Sequence, residues 1–266
     1  MKYLCTLFII ACAMSSCKET AKETETVTTV EEVEELTTTT DSEVKEFEII
    51  PIEHASTILN WDGRTVYVDP VGKPELYEGY KKPDLIVITH LHGDHLNVQT
   101  LEGLDTSTAR IVVPQSVADK MPEAFSSKLD ILNNGEKTET LGITTNAVPM
   151  YNLGPVEERR HKKGWGNGYV LEKDGKRVYF SGDTEDIPEM RNLQNIDIAF
   201  VCMNLPYTMT VESAASAVLD FKPTQVYPFH YRGSEGLSDV DTFKSIVNKG
   251  SDAIEVVQLD WYPNRS

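Results

Sequence analysis

The residue types best suited to chemistry are concentrated in one short segment of the chain, residues 90–95. Its sequence is His-Leu-His-Gly-Asp-His, so three imidazoles and one carboxylate fall within six positions, and the whole chain has only six histidines. Imidazole nitrogens and carboxylate oxygens are ligands that Zn²⁺ and related divalent ions take in proteins. The segment therefore predicts a metal site, and not an exposed polar turn that happens to be rich in histidine.

The elements around this segment indicate how it would bind metal. An apolar run precedes His90 and predicts a buried strand, and residues two apart on extended backbone point to the same side. His90 and His92 can therefore bind one ion together. We expect Gly93 to allow a tight turn that carries Asp94 and His95 towards a second ion.

Three further candidates each stand at the end of a predicted strand. They are Asp69 in Val-Tyr-Val-Asp-Pro, Asp183 in Tyr-Phe-Ser-Gly-Asp-Thr, and His230 in Tyr-Pro-Phe-His. Taken alone, Asp183 could be a turn residue or a helix N-cap, and His230 could be a core histidine. Their positions at strand ends, after the histidine-rich segment, favour the interpretation of Asp183 and His230 as metal ligands.

These motifs, in this order, resemble the metallo-β-lactamase superfamily over about residues 47–260. The resemblance implies an α+β fold, a four-layer αββα sandwich of two mixed β-sheets flanked by helices, with two divalent ions at one edge. Zn²⁺ is the expected metal, and Mn²⁺ or Fe are alternatives. The first ion would be held by His90 and His92, and the second by Asp94, His95 and His230, with Asp183 between the two.

The chain departs from the family pattern at one ligand. The strand that should supply a third histidine to the first ion ends instead at Tyr151 and Asn152. A variant branch of the superfamily resembles this chain in having Pro-x-Tyr-Asn followed by a His-x-Lys-Gly-x-Gly segment, which begins here at His161. We predict that His161 replaces the missing ligand or acts as an acid or base facing the substrate. The alternative is a solvated loop histidine between flanking cations, which would leave a single-metal site possible.

Two residues are predicted to support the ligands. His54, followed by an alanine, resembles the His-Ala near the start of the ascorbate-lactonase-like branch, where it would line the pocket or support the metal ligands. It could equally be a hydrogen-bonded structural histidine. Asp69 is expected to accept the far N–H of a ligating imidazole rather than to bind metal itself.

Other elements are predicted from alternating apolar residues and from turn residues. Strands are predicted at Glu48–Pro51, Ser56–Asn60, Thr65–Asp69, Leu85–Thr89, Arg110–Val113, Ile143–Val148, Gly168–Leu171, Val178–Ser181, Ile196–Cys202, Gln225–Pro228 and Ile254–Leu259. Helices are predicted at Pro114–Met121, Ile187–Asn192, Val211–Phe221 and Asp239–Asn248. The Asp-Gly pairs at 62–63 and 174–175 predict hairpins, and Ser238 with Asp241 predicts a capping box at the last helix.

The first residues have the pattern of an export signal. Lys2 precedes the apolar run Leu4–Met14, and Met-Ser-Ser-Cys ends that run at Cys17, which resembles a bacterial lipobox. The resemblance implies that residues 1–16 are a lipoprotein signal peptide and that a lipid on Cys17 anchors the chain to a membrane of the cell envelope. An ordinary secretory signal, with Cys17 as a bystander, is the alternative.

Composition limits the partners of the chain. Residues 18–45 contain nine threonines and nine acidic residues, so we expect residues 17–45 to be a disordered tether and residues 46–266 to be the hydrolase domain. The net charge of −17 argues against nucleic-acid binding, which requires clustered Lys and Arg. If Cys17 is acylated, Cys202 remains as the lone cysteine of the mature chain, and a disulfide framework is excluded. The oligomeric state is left open.

The expected activity is metal-dependent hydrolysis of a small-molecule substrate. Two ions would bridge a water and lower its pKa, so that a metal-bound hydroxide attacks a carbonyl or phosphoryl centre. The variant branch that the chain resembles includes lactonases and phosphodiesterases, and this resemblance implies a lactone, another ester or a phosphodiester as the substrate. Asp94 could accept or relay the proton, and His161 and His54 are the other candidate catalytic residues. An iron-dependent redox enzyme on the same fold, and a non-catalytic metal-binding surface lipoprotein, are the alternatives.

Overall fold

The computed structural model of the protein describes residues 47–263. The predicted signal peptide, Cys17 and the acidic tether lie outside the described residues. Among the helices of residues 47–263, none combines the length and the apolar composition that a membrane span needs.

Short strands dominate the described part of the chain. Strands β1 to β15 span Phe47–Glu53, Ser56–Trp61, Arg64–Val68, Leu85–Val87, Arg110–Val113, Leu129–Ile131, Lys137–Thr140, Ile143–Pro149, Asn167–Lys173, Lys176–Phe180, Ile198–Cys202, Gln225–Phe229, Arg232–Gly233, Gly236–Leu237 and Glu255–Val256. Helices α1 to α5 span Val98–Gly103, Gln115–Ala118, Pro188–Arg191, Val211–Phe221 and Val240–Gly250. Two 3₁₀ helices span Pro74–Tyr77 and Glu123–Lys128.

The strands form two mixed sheets. The first sheet has the order β1-β2-β3-β4-β5-β6, and the pairs from β3 to β6 are parallel. The second has the order β15-β12-β11-β10-β9-β8-β7, and β10, β11, β12 and β15 are parallel. Strands β13 and β14 pair as a separate two-stranded ribbon. Parallel neighbours place their carboxyl ends at one edge of each sheet, where a site can be built from the loops that follow.

Alternate residues along the strands pack into two different apolar layers, one on each face of the first sheet. In β4, Leu85 and Val87 belong to the core that the first sheet shares with the second sheet, whereas Ile86 belongs to a cluster on the other face. Successive side chains of a strand point to opposite faces, so a strand that is apolar throughout must be covered on both sides. Tyr67 of β3 and Ile111 of β5 lie in the same outer cluster as Ile86.

Helices cover these outer faces. Leu101 of α1 and Val117 of α2 pack in the outer cluster of the first sheet, while α4 contributes Ala214, Val218 and Phe221 to the core cluster that contains the second sheet. Helices α3 and α5 contact α4. The predicted four-layer αββα sandwich of two mixed sheets is confirmed.

The predicted elements overlap the observed ones throughout, and the two Asp-Gly turns are hairpin turns with positive φ at both positions. Sequence reasoning missed the two-residue strands β13 and β14 and the two 3₁₀ helices, and it also missed β6, β7 and α1. Strand β7 is a polar edge strand, Lys-Thr-Glu-Thr, and β6 and α1 are too short to show a period. These three elements lack the buried apolar alternation on which the prediction depends.

The predicted cap of the last helix is wrong by one residue. Helix α5 begins at Val240, and the side chain of Asp239 accepts a hydrogen bond from the Thr242 backbone N–H at 2.9 Å. Ser238 does not cap the helix, because its hydroxyl donates to the Met203 carbonyl instead. The carboxylate one position further along takes the capping role for which Asp is well suited.

Candidate metal centre

All six histidines of the chain meet in one cluster with two aspartates. His54 follows β1, the 90–95 segment follows β4, Asp183 follows β10 and His230 follows β12. Their donor atoms fall into three adjoining groups, and within each group the atoms lie within 4.8 Å of one another: His90 with His92 and His161; His54 with Asp94 and His230; and His90 with His95 and Asp183. Residues from both sheets therefore build one site.

The first group consists of three imidazoles. The distance from His90 Nε2 to His92 Nδ1 is 3.1 Å, and that from His92 Nδ1 to His161 Nε2 is 3.2 Å. Zn–N bonds of about 2.0–2.1 Å in tetrahedral geometry place ligand atoms about 3.3 Å apart. The spacing of these nitrogens therefore suits a single small cation.

The other two groups adjoin each other through His95 and His230, and we call them together the second group, which mixes imidazole and carboxylate. His95 Nε2 and His230 Nε2 are 2.9 Å apart, and Asp183 Oδ1 lies 3.3 Å from the first and 3.2 Å from the second. Asp94 Oδ2 is 3.5 Å from His230 Nε2. The other oxygen of Asp183 lies 3.4 Å from His161 Nε2, so this carboxylate stands between the two groups.

Asp183 also supplies a direct test of whether a metal fits. Its Oδ1 atom is buried and has no hydrogen-bond partner among the described residues. A buried carboxylate oxygen without a partner costs free energy unless a cation compensates it. Divalent ions in the two groups would satisfy this oxygen, so the residues present fit the metals that the fold implies.

His161 lies beside His90 and His92. It is 2% exposed, so the interpretation as a solvated loop histidine is wrong. Its backbone N–H donates to Asn152 Oδ1 at 2.7 Å, and its Nδ1 lies 3.2 Å from the same oxygen. Asn152 thus holds the imidazole, while the Tyr151 hydroxyl donates to Glu189 on α3. The structure brings His161, and neither Tyr151 nor Asn152, into the group of donor atoms with His90 and His92.

His54 stands beside Asp94. Its Nε2 is 3.3 Å from Asp94 Oδ2, and its Nδ1 is 2.7 Å from the Tyr262 hydroxyl. Both alternatives for this residue hold, since its imidazole is hydrogen-bonded and also belongs to the second group. Tyr262 was missed by sequence reasoning, because it lies in an irregular segment near the end of the described residues, where no pattern marks it.

Asp69 contacts the back of the centre. Its buried carboxylate accepts hydrogen bonds from the Thr89 backbone N–H and hydroxyl, each at 2.7 Å, and lies 2.7 Å from His95 Nδ1. In the tautomer that donates Nδ1–H, His95 presents its Nε2 lone pair to His230 and Asp183. This is the arrangement that orients a metal-binding imidazole, and it agrees with the supporting role expected of Asp69.

Burial lowers the pKa of four of the imidazoles, to about 4 for His54 and His161 and below the usual value for His90 and His92. At His92, the charge of Arg160 adds to the effect of burial, while the aspartates of the centre oppose it. These four side chains are therefore neutral at pH 7. The neutral form is the one that binds a metal ion.

The remaining charges favour a cation. Burial disfavours the charged form of His95, but the carboxylates of Asp183 and Asp69 outweigh burial and raise the pKa of His95 well above its usual value. Burial likewise opposes ionisation of Asp183 and Asp94, yet the neighbouring imidazoles, His230 above all, hold the pKa of both carboxyls well below the usual range. A divalent cation bound among these carboxylates would displace the proton of His95.

Three residues of the centre have strained backbone. His54, Asp69 and His230 have φ values of 55°, 43° and 45°, in the left-handed region that non-glycine residues seldom adopt. Each conformation costs of the order of 1–3 kcal/mol and persists where its surroundings fix it. Each of these three residues stands at the end of a strand and directs its side chain into the centre or supports another side chain there.

Gly93 does not have the predicted role. The turn after His92 is closed by hydrogen bonds from the backbone N–H groups of His95 and Leu96 to the His92 carbonyl, at 2.9 and 2.8 Å. Gly93 has no positive φ, and a Cβ there would meet no atom of the described residues within 4 Å. The tight approach occurs at Gly166 instead, where a Cβ would lie 2.7 Å from His90 Cβ.

Two cavities meet at the centre. One, of about 280 Å³, is lined by His92, Asp94, Arg160, His161, Asp183, Asn204 and Tyr207. The other, of about 400 Å³, is lined by Glu53, His54, Val71, Gly72, Gly93, Asp94, Tyr207, Arg232 and Gly233. Asp94 and Tyr207 belong to both. The segment 203–210, which follows β11, contributes Asn204 and Tyr207 to the walls.

Comparison with known proteins agrees with this fold and site. Residues 64–231 match the family described as the Beta-lactamase superfamily domain. The chain is 31% identical over 206 residues to a UPF0173 metal-dependent hydrolase of Pyrococcus abyssi, a match that covers 74% of this chain and 89% of the relative. A UPF0173 metal-dependent hydrolase of Pyrococcus horikoshii is 32% identical with the same coverage. A crystal structure from Parabacteroides distasonis, assigned to the metal-dependent hydrolases, is 37% identical and covers 80% of this chain and 92% of its own, with a TM-score of 0.71.

The fold, the cluster of metal-binding side chains and these relatives define the class of the protein as a metal-dependent hydrolase. The chain belongs to the metallo-β-lactamase superfamily. Of the three activities considered from the sequence, hydrolysis is the one that the relatives support.

Replacing Asp69 by asparagine should weaken metal binding. Asp69→Asn keeps the shape of the side chain but loses the carboxylate that accepts the imidazole N–H of His95, so we expect metal affinity to fall about 10- to 100-fold. Competition with a chelator measures the change. Asp84→Asn, which alters a carboxylate at the opposite end of β4, is the matched control and should retain the affinity. Unchanged affinity in Asp69→Asn would contradict the orienting role.

The two glycines near His90 should respond differently to alanine. Gly93→Ala meets open space, and we expect its free energy of unfolding to stay within about 1 kcal/mol of the parent, with unchanged metal content. Gly166→Ala forces a Cβ against His90 and the Thr89 carbonyl, and should cost about 1–3 kcal/mol and lower the metal content. Urea unfolding and elemental analysis measure both. An equal free energy of unfolding and an equal metal content in the two variants would show that the position of Gly166 does not require a glycine.

Proposed function

We propose that the chain holds two divalent ions, with zinc as the expected metal, and hydrolyses a lactone, another ester or a phosphodiester. The observation that carries the proposal is the position of Asp183, whose two oxygens face different groups of imidazoles. Two ions held in this way would lower the pKa of a bound water and polarise the carbonyl or phosphoryl oxygen of the substrate. The relatives are named metal-dependent hydrolases. The metal is our inference from the donor atoms of the site, and the substrate classes are our inference from the resemblance to the lactonase and phosphodiesterase branch.

The ligands of this proposal are assigned by position. The first ion would be held by His90, His92 and His161, and the second by Asp94, His95 and His230, with Asp183 shared. The first set replaces the missing strand histidine with the buried loop residue His161. The spacing of the nitrogens within each set supports the assignment.

Asp94 is the side chain placed to move a proton. It lines both cavities, and its side chain is 46% exposed, so a substrate or water can reach it. Its Oδ2 atom faces His54 Nε2, and the other nitrogen of His54 faces the Tyr262 hydroxyl. A proton taken up at Asp94 can therefore pass to the neutral imidazole of His54, and Tyr262 fixes the orientation of that ring. In this proposal His54 acts on the proton, and His161 binds metal.

Cys202, the cysteine within residues 47–263, is excluded as a nucleophile. Cys202 is fully buried on β11, burial raises the pKa of its thiol to about 12, and its Sγ donates to the Thr184 carbonyl. A reactive cysteine must be exposed and ionised near neutral pH. The nucleophile is therefore water, activated in the centre.

Elemental analysis of the purified full-length chain, with a panel of lactone, p-nitrophenyl ester and bis(p-nitrophenyl) phosphate substrates, tests the proposal. We expect about two ions per chain. His92→Ala should lose both metal retention and turnover, and His161→Ala should lower occupancy towards one ion. Gln99→Ala, at an exposed position of α1, is the control and should keep both ions and the activity. Turnover that persists in His92→Ala would refute the mechanism.

We also propose that the chain is an exported lipoprotein of the bacterial cell envelope. The support is the apolar run that ends in Met-Ser-Ser-Cys at Cys17. More than one acyl chain on this residue would give stable anchoring, whereas a single chain gives only marginal binding.

Labelling with a fatty acid in a bacterial host tests this anchoring. We expect labelled lipid on the wild-type chain and on Cys12→Ala, which alters a cysteine of the predicted signal peptide. Cys17→Ala should lose the label and leave the membrane fraction, because it lacks the acylated sulfur. Label that persists in Cys17→Ala would show that the lipobox resemblance is coincidental.

A further inference from the structure

Two arginines at the metal centre lack the partners that the other arginines have. Residues 47–263 contain seven arginines, and five of them bond through their guanidinium groups: Arg64 to Asp84, Arg110 to Asp130, Arg159 to Gly154, Arg177 to Glu172, and Arg191 to Asp186 and Asp220. Within the same residues, the guanidinium groups of Arg160 and Arg232 make neither a hydrogen bond nor an ion pair. These two arginines line the two cavities of the centre.

The charge of the chain makes this observation informative. The chain carries 42 acidic residues against 25 basic ones, so carboxylates are abundant as partners for any arginine. A guanidinium group has five N–H donors in a planar fork and binds carboxylates and phosphates in a bidentate manner. An arginine left unpaired beside the centre of such an acidic protein is available to an anion from outside.

Arg160 is held in place although it is exposed. Its guanidinium lies over the ring of Tyr207, 4.4 Å from the centroid, and the next residue is the buried His161. The side chain of Asn152 bonds to both neighbours, since its oxygen accepts from the His161 backbone N–H and its Nδ2 donates to the Tyr207 carbonyl at 2.9 Å. Stacking on the tyrosine fixes the plane of the guanidinium and leaves donors along its edge free.

The two cavities differ in their charge balance. The cavity of Arg232 also contains Glu53, a carboxylate that offsets it. The carboxylates in the cavity of Arg160 are Asp94 and Asp183, both of which are assigned to the metals in the proposed function. Two divalent ions would more than neutralise these two carboxylates. Of the two cavities, the one lined by Arg160 would therefore have the electrostatic potential that favours an anion.

We propose that the substrate carries an anionic group, a carboxylate or a phosphate, in addition to the bond that is cleaved, and that Arg160, stacked on Tyr207, binds this group. The inference rests on the proposed function for the identity of the reaction. It adds that the substrate is charged and assigns Arg160 as the residue that determines this specificity. Neutral lactones and esters of the same size would be poorer substrates.

Binding measured without turnover tests the assignment first. Adipate and inorganic phosphate are titrated into the metal-loaded full-length chain by calorimetry, in parallel with Arg160→Gln. We expect affinity for at least one of these anions to fall about 10- to 100-fold in the variant, and the anion affected identifies the group as carboxylate or phosphate. Arg159→Gln removes the same charge from the neighbouring residue, outside the cavity lining, and should leave both affinities unchanged. Equal affinity of Arg160→Gln and the parent for both anions would overturn the proposal.

A matched pair of esters then tests specificity. The mono-4-nitrophenyl ester of adipic acid differs from 4-nitrophenyl hexanoate only by its terminal carboxylate. In Arg160→Gln we expect KM for the charged ester to rise about 10- to 100-fold with kcat within about twofold, and the neutral ester to be unaffected. Equal loss on both esters would show that Arg160 supports the centre and does not select the substrate, which would overturn the proposal. If the parent cleaves neither ester, the proposed ester hydrolysis fails, while the calorimetry still decides whether Arg160 binds an anion.

Discussion

The buried carboxylate of Asp69 is the constraint on which the metal centre depends. It lies at the end of β3 and accepts hydrogen bonds from Thr89 and His95 on the loop that follows the neighbouring parallel strand, β4. Hydrogen bonds to a charged group in a buried site are among the strongest in a protein, and removal of one side leaves an uncompensated charge. The loop therefore has one favoured conformation, and in it His90 and His92 face the same cation site.

The rest of the centre comes from across the sandwich. Asp183 and His230 follow strands of the second sheet, whereas the 90–95 segment follows a strand of the first. The donor atoms meet only when the two sheets are packed together, and the strained backbone at His54 and His230 is part of what aims them. Ligands that bind only the native state stabilise it. Metal in this position would therefore stabilise the packing of one sheet against the other.

Much of this architecture could be predicted from the sequence, because short local patterns of residues determine it. The apolar runs gave the strands that form the core, and imidazole and carboxylate side chains at the ends of such runs marked the centre. What could not be predicted depends on contacts between distant segments. Three such contacts join irregular loops whose sequences have no hydrophobic periodicity. They are the hydrogen bond of Asn152 with His161, the contact of Tyr262 with His54 and the stacking of Arg160 on Tyr207. The role expected of Gly93 was wrong because backbone hydrogen bonds to the His92 carbonyl close that turn in a conformation open to any residue.

The gathering of every histidine of the chain into one cluster has a practical consequence for spectroscopy. In most proteins the imidazole signals of a functional site overlap with those of unrelated surface histidines. Here each ring nitrogen belongs to the centre or touches it, so a nitrogen-15 spectrum of selectively labelled histidine contains no background. Tautomers, protonation and the order in which successive cations enter can be followed ring by ring in the intact protein.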